Sequence, residues 1–389
     1  MKPYKYVACI CMLLFALGIS LFADEASTLE SLFTKGPESI DYAAQFERAV
    51  PLAVMHQILD QFSAQLGPFK QVKGSTNPYT LVFDEGTVTA YISLDGSNQV
   101  AGLQFTEVIR ACLTLADAVK QIIDLDADTA ILIRKNAETV VAHNADIPLA
   151  VGSAFKLGIL AAVEDAVREN KLQWFQSVRL LSMWKSLPTG ILQDWPTGSR
   201  LTIETLATLM ISQSDNTATD ALMSLVGRNS VGSYLSNSRP VLSTAEAFRL
   251  KNPANSDLLA RYRTGSSAEK EKVLDQIKSR PLMEPGLLSG NPVAIDIEWF
   301  MTAHELASLI ERLQVLPLMT VNAGLATKER WHRVAYKGGS EPGVLNLTTY
   351  LEDEEHNRHT VVVTVNNAQS PLDEKFIMET YQAILNLLE

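Results

Sequence analysis

The side chains able to do covalent chemistry fall in three short segments. Gly152-Ser153-Ala154-Phe155-Lys156 opens an apolar-periodic stretch that reads as a helix from Ser153 towards Asn170. Residues three apart share a helix face, so the Lys156 amine is expected to reach the Ser153 hydroxyl. A neutral amine there would take the proton and make the serine a nucleophile. The helix start adds free N–H groups and the positive end of the dipole, which stabilise a developing oxyanion. The spacing alone is unspecific, because Ser182 with Lys185 and Ser267 with Lys270 also satisfy S-x-x-K. Order along the chain must single out Ser153.

Ser214-Asp215-Asn216 follows Ser153 by 61 residues and precedes the helical pattern Thr217–Leu225. As structure it is a helix cap, a role these residue types favour. As chemistry it offers a second hydroxyl to relay a proton to a leaving group and an amide to hold a substrate. Tyr336-Lys337-Gly338-Gly339-Ser340 ends a strand-like run near the C-terminus. Its lysine would place positive charge beside a substrate carboxylate, and its glycines would let a ligand approach the backbone. Read structurally, it is a strand end with a turn.

In this order the three segments resemble the S-x-x-K, S-D-N and K-T-G signature of class A β-lactamases and penicillin-binding proteins, over about residues 108 to 389. The resemblance implies an α+β fold, an antiparallel sheet flanked by helices, and an acyl-serine mechanism without metal or cofactor. It assigns Ser153 as nucleophile, Lys156 as general base, Ser214 as proton shuttle and Asn216 as substrate-amide contact. Lys337 matches the third-motif lysine and Gly339 its glycine, and the oxyanion hole falls to the N–H groups of Ser153 and Ser340. Two departures stand out. Gly338 replaces the threonine of K-T-G, which puts carboxylate recognition in doubt, and no E-x-x-L-N pattern supplies a deacylating glutamate near Leu250. The nearest imitation is Met283-Glu284-Pro285-Gly286-Leu287-Leu288, which makes Glu284 the candidate water-activating base if residues from about 240 to 280 are an insertion.

The elements that must position these groups divide the chain. Before about residue 107, helical spacing at Phe46, Val50, Met55, Ile58, Leu59 and Phe62 is punctuated by Pro51 and ended by Gly67-Pro68. Strand-like runs Tyr79–Phe83, Thr87–Leu94 and Val100–Phe105 follow, joined by turn residues. Residues 24–107 are thus expected to form a small α+β domain of structural or substrate-shaping role. Its layout resembles the ketosteroid-isomerase-like domain that precedes the catalytic domain in two-domain serine hydrolases typified by the clavulanic-acid-cluster member. Ser243–Lys251 and Ile297-Glu298-Trp299-Phe300 are similar to that subgroup too. In residues 108–389, paired strands Ala130–Arg134 and Thr139–Ala142 come first and Arg333–Tyr336, Val344–Leu351 and Thr360–Asn366 last, with helices between. One sheet is expected, its edges drawn from opposite chain ends, closed by an amphipathic helix Asp373–Leu388.

Composition narrows the function. The 389 residues carry 33 Lys+Arg against 44 Asp+Glu, a net charge of −11, and no basic run, which excludes a general phosphate-backbone binder. His356 and His359 in an acidic stretch read as a solvated hairpin turn rather than a metal site. Lys2, Lys5, the uncharged Tyr6–Phe22 and small Ala23 and Ala26 have the order of a secretory signal, cleaved after Ala23. An uncleaved anchor is the rival, and the only membrane link expected. Cleavage removes Cys9 and Cys11, so Cys112 has no disulfide partner, and leaves 31 basic against 44 acidic residues, a charge of −13. The expected protein is an exported, periplasmic or secreted serine hydrolase acting on a small β-lactam, ester or cell-wall peptide. The alternatives are a penicillin-binding DD-peptidase and a non-catalytic peptidoglycan- or partner-binding protein with a retired site.

Overall fold

A computed structural model describes residues 24–388 apart from 111–113, 137, 188, 285 and 287–289. Residues 1–23, expected from the sequence to be a secretory signal, lie outside the described residues. Spatial contacts divide the chain into two compact units, with the boundary between Leu113 and Thr114.

In the first unit, α1 (Asp24–Lys35), α2 (Ala44–Ala49) and α3 (Leu52–Leu66) precede a four-stranded antiparallel sheet of β1 (Phe69–Lys73), β2 (Tyr79–Phe83), β3 (Gly86–Leu94) and β4 (Val100–Arg110), paired in chain order. Pro51, with its fixed φ of −60°, caps α3, and Gly67 at φ +71° ends it. Alternation on β2 and β3 turns Tyr79, Leu81, Phe83, Val88, Ala90 and Ile92 inward onto Leu29, Leu32, Phe62 and Leu66. Asn98, in the turn before β4, takes the left-handed conformation that Asn tolerates. Strand β4 runs five residues beyond the expected Phe105, paired with β3 to Arg110.

The second unit begins with α4 (Leu115–Ile123), β5 (Asp128–Lys135), β6 (Glu138–His143), β7 (Leu149–Ala150) and α5 (Lys156–Arg168). A helical middle follows: β8 (Ser177–Arg179), β9 (Arg200–Thr202), α6 (Ile203–Ser212), α7 (Asn216–Val226), α8 (Arg228–Gly232), α9 (Thr244–Lys251), α10 (Ser256–Thr264) and α11 (Ser267–Ile277). The chain closes with β10 (Phe300–Met301), α12 (Ala303–Leu313), β11 (Arg333–Glu341), β12 (Val344–Glu352), β13 (Arg358–Asn366) and α13 (Glu374–Asn386). The main sheet is antiparallel in the order β11-β12-β13-β5-β6, so its two edges come from opposite ends of the unit.

Side-chain alternation gives this sheet two buried faces. Val361, Val363 and Val365 of β13 pack with Ile131 and Ile133 of β5 against α4 and α13, where Tyr381 is fully buried. Leu132 and Val362 point the other way, into a core shared with α5, α6, α7 and α12. Edge strand β11 pairs with β12 and with no second strand among the described residues.

Candidate active site

The turn before α5 is fixed by close packing. Gly152 has φ +47°, and a Cβ there would lie 3.3 Å from Gly339 C and Ser340 N. A Cβ on Gly339 would lie 2.2 Å from Val151 O and 2.4 Å from Ser153 N, so only glycine lets β11 run against this turn. Behind it, Phe155 stacks on Trp299 with ring centroids 4.0 Å apart, and the Val151 N–H donates to Trp299 O at 2.9 Å. Between Ala150 and Val163 only Ser153 is partly exposed.

Lys156 extends inward from the first turn of α5 and is fully buried. Its Nζ donates to Ser214 O at 2.6 Å, Ser214 Oγ at 3.0 Å and Asn216 Oδ1 at 2.7 Å. The expected contact with Ser153 is not among them: the Ser153 hydroxyl makes no hydrogen bond among the described residues. A buried amine must satisfy its polar valences, and the Ser214–Asn216 turn surrounds it with acceptors. Burial first, then the neighbouring Lys337 amine, lowers the Lys156 pKa well below the usual lysine value, against a smaller opposing pull from Asp220, Asp215 and Glu341.

Ser214 sits at φ +55°, a left-handed conformation uncommon for serine. Asp215 holds it there. This buried carboxylate caps α7 through Ala218 N at 2.8 Å and accepts the N–H groups of Ile191 at 2.7 Å and Leu192 at 2.9 Å. Gly190 makes the approach feasible, since a Cβ there would lie 2.2 Å from the carboxylate. Asn216 is buried; one amide N–H goes to Leu187 O at 3.1 Å, and the other has no partner among the described residues.

Lys337 of β11 is buried, and its Nζ donates to Ser214 Oγ at 3.2 Å and to Gly338 O. Burial pulls its pKa down to about 7. The Ser214 hydroxyl is therefore held between two desolvated amines. Ser340 is exposed and its hydroxyl donates to Glu374 Oε1 at 2.7 Å, so only its backbone faces the Gly152–Ser153 turn.

The Gly338 departure has a steric cause. A Cβ at 338 would lie 2.1 Å from the Tyr336 hydroxyl oxygen and 2.9 Å from its ring carbon Cζ. Residues 240 to 280, expected as a possible insertion, carry helices α9 to α11. Glu284 comes after them, exposed and without a hydrogen bond or ion pair among the described residues. Its neighbours 285, 287 and 288 lie outside the described residues.

Several groups of this region escape a motif search. Asp220, buried in α7, accepts Thr244 N at 2.7 Å, Ala245 N at 2.9 Å and Thr244 Oγ1 at 2.9 Å, pinning the start of α9; burial raises its pKa to about 6. The signal was an acid on an apolar helix face, which spacing rules do not weigh. Buried Lys251 bridges Glu298 and Glu341, which joins the segments Ser243–Lys251 and Ile297–Phe300 to the end of β11.

The hairpin turn 353–357 is present between β12 and β13, but His359 is not solvated: it is buried with its ring edge-on to Trp331 at 5.7 Å. His356 Nδ1 lies 2.7 Å from Glu352 Oε1, and donor atoms of His332, Glu352 and His356 lie within 4.8 Å of one another.

A family model described as "Beta-lactamase enzyme family" matches residues 114–388. The chain belongs to that family. Among solved structures, a β-lactamase from Sphaerobacter thermophilus is 21% identical with a TM-score of 0.50, covering 70% of this chain and 94% of its own. A β-lactamase from Chitinophaga pinensis is 15% identical with a TM-score of 0.49, covering 70% and 96%. The structure of PBP-A is 14% identical with a TM-score of 0.48, covering 70% and 95%. The first of these likenesses shows the fold. No curated protein matches the chain.

Proposed function

We propose that this β-lactamase-family protein is an exported serine hydrolase that works through an acyl-Ser153 intermediate. The observation that carries the proposal is the Ser214 hydroxyl held 3.0 Å from the Lys156 amine and 3.2 Å from the Lys337 amine, both desolvated, next to a partly exposed Ser153.

A substrate carbonyl oxygen placed at the N–H groups of Ser153 and Ser340 would be polarised by donors that need no reorganisation. Ser153 Oγ then attacks the carbonyl carbon and forms the acyl C–O bond, its proton passing to the Lys156 lone pair. Collapse of the tetrahedral adduct breaks the bond to the leaving nitrogen or oxygen, which takes a proton from the Ser214 hydroxyl. Lys156 or Lys337 returns that proton to Ser214. Water then adds its OH to the acyl carbon, the bond to Ser153 Oγ breaks, and the remaining water proton goes to Ser153 Oγ, which frees the serine and releases the acyl group as an acid. Lysine can be a base here because burial favours its neutral form.

A fluorescent penicillin and a generic ester, each incubated with the native chain and with Ser153→Ala, test this reading. Labelling or turnover that depends on Ser153 is expected; unchanged labelling in Ser153→Ala refutes it. A penicillin-binding DD-peptidase is the second reading. It is favoured by Glu284, the candidate water-activating base, which stands exposed without a hydrogen bond or ion pair among the described residues. Release of D-Ala from a stem peptide without β-lactam hydrolysis would establish it.

A further inference from the structure

The β12–β13 hairpin carries a group of side chains that acyl transfer leaves unused. His332 stands just before β11, five residues ahead of Lys337, on the order of 17 Å along an extended chain. Glu352 ends β12 opposite Arg333, and His356 lies in the turn that follows. That turn aims His356 back at the strand pair. The Asp353 carboxylate accepts Glu355 N at 2.9 Å, Asn357 N at 2.8 Å and Asn357 Nδ2 at 2.8 Å, and His356 takes φ +64°. Its Nδ1 then meets Glu352 Oε1 at 2.7 Å, and its ring stands edge-on to that of His332 with centroids 5.3 Å apart. Two exposed imidazoles from separate segments thus converge on a carboxylate that is only 9% exposed.

A buried carboxylate needs compensating charge. Glu352 accepts the Tyr350 hydroxyl at 3.2 Å, whereas Arg333 approaches it only to 4.0 Å, its guanidinium donating to Gln314 O at 3.2 Å. Glu352 to Glu355 set four acidic residues against Arg333 and Arg358, so this end of the hairpin is negative. Donor atoms of His332, Glu352 and His356 lie within 4.8 Å of one another. Around an ion bound at about 2.1 Å, tetrahedral ligands stand about 3.4 Å apart. Rotation of the two exposed imidazoles closes that gap while Glu352 stays in place. Two imidazoles and a carboxylate suit Zn2+ and similar transition-metal dications; Mg2+ and Ca2+ prefer oxygen alone.

We infer that His332, Glu352 and His356 bind one transition-metal dication of the Zn2+ type. A water, or Glu354 with its Oε2 3.9 Å from His332 Nδ1, completes four ligands. The ion takes no part in acyl transfer. It closes the loop between residues 332 and 356, and so fastens the start of β11, the strand that carries Lys337 and Gly339, to the hairpin. The acidic stretch around His356 is incomplete as a site in the sequence because folding must bring in His332.

The test is a calorimetric titration of Zn2+ into the untagged, EDTA-stripped full chain and into His332→Ala/His356→Asn. Asparagine tolerates the left-handed backbone at 356. One Zn2+ per native chain is expected, with affinity at least about 100-fold weaker in the double variant and no binding of Mg2+. Zn2+ should raise the melting temperature of the native chain and leave that of the double variant unmoved. The single variants His332→Ala and His356→Asn should each lose at least about 10-fold, so a poorly folded double variant does not spare the inference. Absence of saturable Zn2+ binding by the native chain, equal binding of Mg2+, or Zn2+ affinity unchanged by the substitutions overturns it.

Discussion

The Lys156 amine donates to the Ser214 hydroxyl at 3.0 Å, and no hydrogen bond joins it to Ser153, three residues earlier in the turn that leads into α5. In the proposed mechanism the proton that Lys156 takes from Ser153 would therefore pass on across this hydrogen bond, from α5 to the Ser214–Asn216 turn. Ser214→Ala should lower the acylation rate by about 100-fold while leaving the fold intact, because the Lys156 amine keeps Ser214 O and Asn216 Oδ1 as acceptors. Single-turnover labelling with a fluorescent penicillin checks this; an unchanged rate would remove Ser214 from the path.

The pH dependence follows from Lys337, whose pKa burial lowers to about 7. An unfolded lysine stays charged to about pH 10.4. Between these values the unfolded chain binds more protons than the folded one, so this group makes stability rise with pH across that window. Below pH 7 the full cost of charging the buried amine is present. Lys337→Met should flatten that rise in urea midpoints taken from pH 6 to 9. Affinity for an anionic substrate should fall as pH climbs through 7, read as a rising KM.

Asp215 shapes the Ser214–Asn216 turn from a fully buried position. Its carboxylate takes three backbone N–H groups, from Ile191, Leu192 and Ala218. Asp215→Ala strands these buried donors and should cost about 3 kcal/mol of stability, with loss of acylation. Chemical denaturation measures the first and labelling the second. Retained activity would show that Ser214 holds its left-handed conformation without Asp215.

Gly339 separates stability from chemistry in a different way. Its Cβ position lies 2.2 Å from Val151 O, on the turn that carries Ser153. Gly339→Ala should push β11 away from this turn and widen the gap between the Ser153 and Ser340 N–H groups. A loss of about 100-fold in kcat is expected, the scale of one lost oxyanion donor. Steady-state kinetics on any substrate of the native chain would show it.

The ion cluster of Lys251, Glu298 and Glu341 holds three segments together in the interior. Lys251→Met leaves two buried carboxylates unpaired and should destabilise by about 3–5 kcal/mol. The triple change that adds Glu298→Gln and Glu341→Gln should recover much of that loss, as thermal unfolding would report.

Much of this could be read from residue types and spacing. Strands β2, β3, β12 and β13 declare themselves by β-branched and aromatic runs between turn residues, and α13 by its amphipathic pattern from Asp373. Strand β1 did not, because Phe69-Lys70-Gln71-Val72-Lys73 has only two apolar residues and gains its place from pairing with β2. The three motifs named Lys156, Ser214, Asn216 and Lys337, which the fold brings into hydrogen-bond contact, but helical spacing placed Lys156 against Ser153, whereas tertiary acceptors on Ser214 and Asn216 decide where the amine ends. Gly338 looked like a lost contact for a related reason: its explanation is a ring two residues away along β11 and a glycine brought near by folding. Asp220, Lys251 and Glu298 are charges buried by the fold, and local pattern carries no signal for them.

The most direct measurement of the central claim is the intact mass of the protein over time with a β-lactam. A mass gain equal to the β-lactam, located at Ser153 by peptide mapping and lost in Ser153→Ala, is the predicted result. An adduct that survives in Ser153→Ala, or that maps to another residue, would contradict it.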